Sequence, residues 1–249
     1  MSAPGEMPFT QHLDELRTVL VRSSIGILLC GILAFAWSNE LFELLSYPLS
    51  AGFEKPKLIG TGPAEAFIVK LKVALITGII AACPNTFLQV WFFVAPGLKT
   101  EEKKYAIPFV FFTTFFFVSG VLFCFFQVLP FAFSFFETEY KSIGVAATLK
   151  IGEYLSFVTK LIFVFGAIFE LPVLSFFLTR IGLITHQWLI KYFRIAIVTI
   201  FIAAAILTPP DVATQVLLAI PLVVLYGLCI LISWLVKRKL DQEEAAEVS

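Results

Sequence analysis

The sequence predicts an all-α integral membrane protein that crosses the bilayer six times. Three observations carry that reading. Apolar residues make up 59% of the 249-residue chain, well above the roughly 45–50% of soluble domains, and the mean hydropathy is +0.93. Six apolar segments reach or approach the roughly 20 residues that a helix needs to cross the hydrocarbon core. Finally, the apolar stretch Leu161–Thr179 contains a single charged residue, Glu170. A carboxylate at such depth costs about 2.5–3.5 kcal/mol even on lenient insertion scales.

The spans fall at Val19–Trp37, Phe67–Val90, Ile107–Val128, Tyr154–Thr179, Ile195–Leu207 and Ala213–Val236. The first resembles a signal peptide only superficially. Ala34-Phe35-Ala36 fits a cleavage pattern, but the region before it is long and carries Asp14 and Glu15 beside Arg17 and Arg22. It is therefore expected to be a permanent span. The third lies in the longest uncharged run, Tyr105 to Phe136, which is dense in phenylalanine. The fifth is short, ending at Pro209-Pro210, so it either enlists Lys191 and Arg194 as snorkelling flanks or sits where the bilayer is thin. Pro84, Pro108, Pro172 and Pro221 each remove a backbone donor and favour a bend. The connections Ser38–Ala66 and Phe131–Glu153 contain apolar stretches and are expected to form short capping helices or turns. An acidic tail closes the chain over 240–249.

Six spans put both termini on one side, and the basic residues choose which. On the terminal side stand Arg17, Arg22, Lys99, Lys103, Lys104, Arg180, Lys191, Arg194, Lys237, Arg238 and Lys239. The other side has Lys55, Lys57, Lys70, Lys72, Lys141, Lys150 and Lys160. Eleven against seven, with the tight clusters all in the first set, predicts cytoplasmic N- and C-termini.

Several classes of function find no support. A formal net charge of zero with no dense basic block argues against a nucleic-acid partner. Cys30, Cys83, Cys124 and Cys229 are widely spaced in apolar stretches, without the paired spacing of a metal site, and read as small buried hydrophobes. HExxH, GxSxG and Gly-rich phosphate loops are missing, and His12 and His186 read as interfacial polar residues. No enzyme, cofactor or metal is expected.

What remains is a set of acids and polar residues placed against the membrane. Thr10 to Arg17 reads as the start of an amphipathic helix, with Thr10 as a cap and Asp14 and Glu15 suited to its positive end. The first connection on the terminal side brings Trp91, Phe92 and Phe93 within a few residues of Glu101 and Glu102. Carboxylates pair with guanidinium while aromatic rings pack an apolar flank, so this stretch suits a cationic peptide followed by an apolar segment. An interfacial aromatic belt with solvated charges is the plainer alternative. Asp211, after the fifth span, is placed to cap the sixth helix. Glu170 reads as functional, or else as a protonated acid hydrogen-bonded to a neighbouring helix or lining a wet pocket.

Taken together, FTQHLDELR, Ser46-Tyr47-Pro48-Leu49, PNTFLQVWFFVAPGLKTEEKK, YLSFVTK, FGAIFELPV and LTPPDVATQVLLAIP resemble, in order and spacing, the TatC family, the multispanning subunits of the bacterial twin-arginine protein translocase. The match runs over nearly the whole chain. It implies a curved, glove-like bundle of six helices in the bacterial cytoplasmic (inner) membrane. The implied role is to bind twin-arginine signal peptides of folded precursors, in a multi-copy complex with TatA/TatB-type single-span subunits, with export driven by the protonmotive force.

Residue by residue, the resemblance makes Glu102 the acid that helps recognise the arginine pair, Phe93 its aromatic neighbour and Glu15 the acid contributed by the N-terminal segment. Glu101 stands where relatives often carry a basic or polar residue, and it is the alternative acid. Glu170 matches the intramembrane acid, and Gln215 the polar residue early in the sixth span, a region associated with partner helices. Pro48 and Asp211 match outer-loop positions. Two competing classes are weaker. A proton-coupled transporter carrying protons on Glu170 belongs to a class that often shows repeat symmetry, and none is visible here. An intramembrane enzyme lacks a recognisable nucleophile–base pair.

Overall fold

The structure is a computed structural model that describes residues 9–54, 56–95, 106–207 and 211–248. The chain runs α1 (Phe9–Ala36), α2 (Ser38–Leu45), α3 (Tyr47–Gly52), β1 (Leu58–Ile59), α4 (Glu65–Ala81) and α5 (Cys83–Val94). It continues through α6 (Ala106–Phe123), a π-helical turn at Cys124–Val128, α7 (Leu129–Ser142) and β2 (Leu149–Lys150). The last part is α8 (Ile151–Ile168), α9 (Leu171–Arg180), α10 (His186–Lys191), α11 (Phe193–Leu207) and α12 (Val212–Val248). The described residues are thus almost entirely helical. The two short strands pair in parallel, Leu58 with Leu149 and Ile59 with Lys150. Two-residue strands carry no readable alternation, so the sequence gives no sign of them.

These elements form two compact units, Met1–Ser46 with Gly60–Phe115, and Tyr47–Ile59 with Phe116–Ser249. In the first, α1 packs on α4 and α5 through small residues that let the backbones meet. A methyl group added at Gly78 would lie 2.7 Å from the Gly31 nitrogen, and one added at Gly26 would lie 2.5 Å from the Asn85 amide. With lipid on the outside there is little hydrophobic drive between such helices, so close approach and dispersion hold them. Phe35 meets Phe67 edge-on at 6.4 Å, and Trp91 is buried against Phe109 at 4.9 Å between ring centres. The second apolar segment bends by 54° between α4 and α5. Ala82 turns the chain, and Pro84 then occupies the first turn of α5, where its missing N–H leaves no vacancy in the ladder.

In the second unit, α3 seats against α7. Gly52 approaches the Pro130 carbonyl so closely that an added methyl would sit 2.7 Å from it, and Leu49 and Phe53 are buried beside it. The same device joins the end of α6 to α8. Gly120 faces the Phe165 carbonyl, and Gly166 faces the Phe117 ring. The fourth apolar segment divides at Phe169–Glu170 into α8 and α9, with Pro172 in the first turn of α9. α9 lies parallel to α12. Ser175 Oγ donates to the Cys229 carbonyl at 2.9 Å and Thr179 Oγ1 pairs with Ser233 Oγ at 2.9 Å, the same offset on both helices.

Not every proline interrupts its helix. Pro108 falls in the first described turn of α6, and α12 runs unbroken through Pro221. There Leu218, Ala219, Leu222 and Leu225 are all buried on either side of the proline, so packing holds the axis across the missing hydrogen bond. The connection Ser38–Ala66 holds the short helices α2 and α3 as expected, whereas most of Phe131–Glu153 is α7, a continuation of α6 through the π-turn in one 36-residue stretch, Ile107–Ser142. Four described helical stretches are long and apolar enough to cross a membrane, and the bent α4–α5 pair makes a fifth. α11 is apolar but has only 15 residues, a rise of about 22 Å against a core of about 30 Å.

Candidate functional site

Two groups of polar residues stand out, one in each unit. In the first unit, α1 runs antiparallel to α4 and α5. The contacts pass from Phe35–Phe67, through Gly31–Gly78, to Gly26–Asn85 as the chain is followed back along α1. Glu15 lies eleven residues before Gly26, about 16 Å further along, and Phe93 lies eight residues beyond Asn85, about 12 Å further. Glu15 and Phe93 therefore reach the same end of the unit. Both are half-buried. α5 ends at Val94, one residue after Phe93, and the segment bearing Glu101 and Glu102 follows at once. Those two acids lie outside the described residues, as does the Thr10 side chain. Phe92 and Val94 are exposed beside Phe93, giving the end of α5 an apolar surface.

Glu170 occupies the break between α8 and α9 in the second unit. Its carboxyl faces the Phe117 backbone, and its Oε1 is buried with no hydrogen-bond partner among the described residues. Glu170 is the residue that precedes α9, whose first turn holds Pro172, within the continuous apolar stretch Ile151–Arg180. Its neighbours Ile168 and Leu171 line an apolar groove of about 410 Å³, with Trp188, Tyr192, Thr199 and Leu222 among the other walls.

The other matched residues stand apart from Glu170. With the register of Ser175–Cys229 and Thr179–Ser233 extended back, Glu170 is level with Val224. Gln215 is nine residues away from that level, about 13 Å. Its Nε2 donates to the Phe201 carbonyl at 2.9 Å, linking α12 to α11. Asp211 caps α12, accepting from the Thr214 N–H at 2.7 Å and from the Thr214 hydroxyl. Pro48 is buried within α3.

Two polar arrangements were not anticipated. The Ser175, Thr179 and Ser233 hydroxyls form a fully buried seam between α9 and α12. Its only sequence signal is a small polar residue at i and i+4 on α9, Ser175 and Thr179, and one on α12, Ser233. The second is a cluster joining α7 to the end of α3. Lys141 reaches Glu54 at 3.1 Å and Glu137 at 3.5 Å, while Glu137 accepts the Glu54 N–H at 2.9 Å. Residues 83 positions apart give no local signal for such a meeting.

Stacked apolar helices, interhelical hydroxyl bonds and a lone acid in a span define a multi-pass helical membrane protein. Among the described residues no group of three or more His, Cys, Asp or Glu side chains is placed to hold a metal ion. The family model of the Sec-independent protein translocase protein (TatC) matches residues 11–221, and the chain belongs to that family. It is 43% identical over 245 residues to the Sec-independent protein translocase protein TatC of Desulforapulum autotrophicum, covering 97% of this chain and 90% of that protein. It is 36% identical over 241 residues to the TatC of Aquifex aeolicus, covering 96% of this chain and all of that one. A crystal structure described as the twin-arginine translocase receptor TatC superposes with a TM-score of 0.81 at 36% identity, covering 91% of this chain and 99% of that one. The chain is accordingly a multi-pass membrane component of Sec-independent protein transport.

Proposed function

We propose that the chain is the signal-peptide receptor of a twin-arginine translocase, crossing the cytoplasmic membrane six times with both termini in the cytoplasm. The six spans are the four long helical stretches, the bent α4–α5 pair and the short α11. The observation that supports the receptor reading best is the convergence of Glu15 and Phe93 at one end of the first unit, immediately before the segment carrying Glu101 and Glu102. A twin-arginine motif brings two guanidiniums that stay charged at cellular pH, with an apolar stretch close behind. Carboxylates from two parts of the chain beside an aromatic floor complement both features.

In this reading Glu170 and Gln215 serve the other half of the task. A buried acid and an amide on apolar helices offer hydrogen bonds to polar side chains of TatA/TatB-type single-span subunits, which assemble with several copies of this chain. The protonmotive force drives export, and Pro48 and Asp211 hold the outer connections in place. The test is site-specific crosslinking from positions 93 and 102 in native membranes to a precursor bearing Arg-Arg or Lys-Lys in its signal. Crosslinks that require Arg-Arg support the reading. Equal crosslinking to both signals, or uptake of a small solute by the purified chain alone, contradicts it.

A further inference from the structure

One wall of the groove beside Glu170 comes from α10, a helix of only six residues. A helix this short leaves its last carbonyls without partners of its own. The Trp188 carbonyl accepts the Tyr192 N–H at 3.1 Å. The Leu189 carbonyl instead accepts the hydroxyl of Tyr226, 37 residues away on α12, at 2.9 Å. The chain then breaks at Tyr192 before α11 starts at Phe193, whose ring centre stands 5.9 Å from that of Tyr226. Tyr226 therefore grips both sides of the break, by its hydroxyl on α10 and by its ring on α11.

This grip lies close to the level of Glu170. In the register of α9 on α12, Glu170 is level with Val224, and Tyr226 is two residues, about 3 Å, further along. Leu189 is buried, while Trp188 is exposed and its ring stands 4.6 Å from that of Tyr192. The two rings form an aromatic ledge on the groove. An unpaired carbonyl in apolar surroundings is costly, so without the phenol α10 must shift to find another donor. Such a shift would carry the ledge with it. Glu170 would stay in place, because the Ser175, Thr179 and Ser233 hydroxyls hold α9 on α12 independently.

We propose that Tyr226 is a positioning residue for partner assembly. By holding the Leu189 carbonyl it fixes the Trp188–Tyr192 ledge near the depth of Glu170, and so sets the register in which a single-span helix lies in the groove. The aliphatic walls of that groove give a sliding helix no preferred depth, whereas a fixed pair of rings does. The inference rests on the reading that a single-span subunit docks at Glu170.

The experiment places a photoreactive residue at position 199, exposed on α11 and lining the same groove, in the full chain in native membranes. Mass spectrometry then reads which residues of the single-span subunit are captured. With Tyr226 in place, capture should centre on one turn of the subunit. Tyr226→Phe keeps the ring and removes only the hydroxyl. It should lower capture roughly two- to tenfold, the worth of one neutral hydrogen bond, and spread it over neighbouring turns. Trp188→Ala removes the ledge at an exposed position and leaves the Tyr226 bond, so it should spread capture in the same way at an unchanged melting temperature. Precursor crosslinking from position 93, in the other unit, should stay unchanged in both variants, separating a lost register from a lost fold. Unchanged amount and register of capture in both variants would overturn the proposal and reduce Tyr226 to a tie within the fold. A parallel loss at positions 93 and 199 would overturn it as well. If position 199 captured no single-span subunit even with Tyr226 and Trp188 intact, docking at Glu170 itself would fall, and the inference with it.

Discussion

Gly78→Ala tests whether the close packing of α1 on α4 underlies the placement of Glu15 and Phe93. The new methyl would lie 2.7 Å from the Gly31 nitrogen, 2.8 Å from the Gly31 Cα and 2.9 Å from the Ile27 carbonyl. All three obstacles are backbone, so no side chain can swing aside and the helices themselves must separate. Restoring an ordinary contact of 3.4 Å requires an opening of about 0.7 Å. Overpacking of this kind costs about 1–3 kcal/mol, and intrinsic helix propensity, which favours Ala by roughly 0.8–1.0 kcal/mol, offsets part of it. The net expectation is destabilisation of about 0–2 kcal/mol together with weaker precursor binding. Gly227→Ala is the control, because a methyl there meets nothing within 4 Å and gains the propensity term alone. The assay is unfolding of the purified chain in detergent, paired with precursor binding to membranes carrying each variant. If Gly78→Ala unfolds like Gly227→Ala and binds precursor normally, close approach at this glycine does not organise the site.

Glu170→Ala should fold yet lose crosslinks to single-span partners and slow export, whereas Glu170→Gln, which keeps shape and hydrogen-bonding capacity, should retain part of both. Identical wild-type behaviour of the two would reduce Glu170 to a tolerated acid. Thr179→Val and Ser233→Ala should each cost about 0.6 kcal/mol, and no more than about 1.7. In a double-mutant cycle the two should sum to more than the pair removed together, because they share one bond. Asp211→Ala should cost about 1 kcal/mol through the lost helix cap, and Asp211→Ser should recover most of it, read as unfolding midpoints.

Glu170 was legible because a charge in an apolar span is costly enough to be conspicuous. The Ser175–Thr179–Ser233 seam was not, because Ser and Thr pass easily within apolar helices and their partners lie 54 residues away. The prolines were read as a set, but they act by position. Pro84 and Pro172 start new helices after breaks, where a missing donor is harmless, and Pro221 sits inside a continuous helix with buried residues on both sides. The acidic and aromatic stretches of Glu15 and Phe93 were each visible in the chain. That they reach one end of a unit depends on the antiparallel packing of α1 with α4 and α5, which rests on glycine contacts between residues 26, 31, 78 and 85. The bend within α4–α5 was foreshadowed by Pro84, although the turn itself falls at Ala82, one residue before α5 starts.

The central claim is that carboxylates at the end of the α1–α5 packing read the arginine pair. The most direct measurement is the equilibrium binding of a twin-arginine precursor, and of its twin-lysine counterpart, to membranes carrying the wild type or the double variant Glu101→Lys with Glu102→Lys. One charge-assisted bond is worth about 1.5–3 kcal/mol, so loss of a single acid should weaken binding roughly tenfold to a hundredfold, and reversal of both should abolish it. The wild type should also prefer Arg-Arg over Lys-Lys, because lysine cannot reproduce the bidentate fork. Normal binding of the twin-arginine precursor by the double variant would contradict the account and place the recognition acids elsewhere.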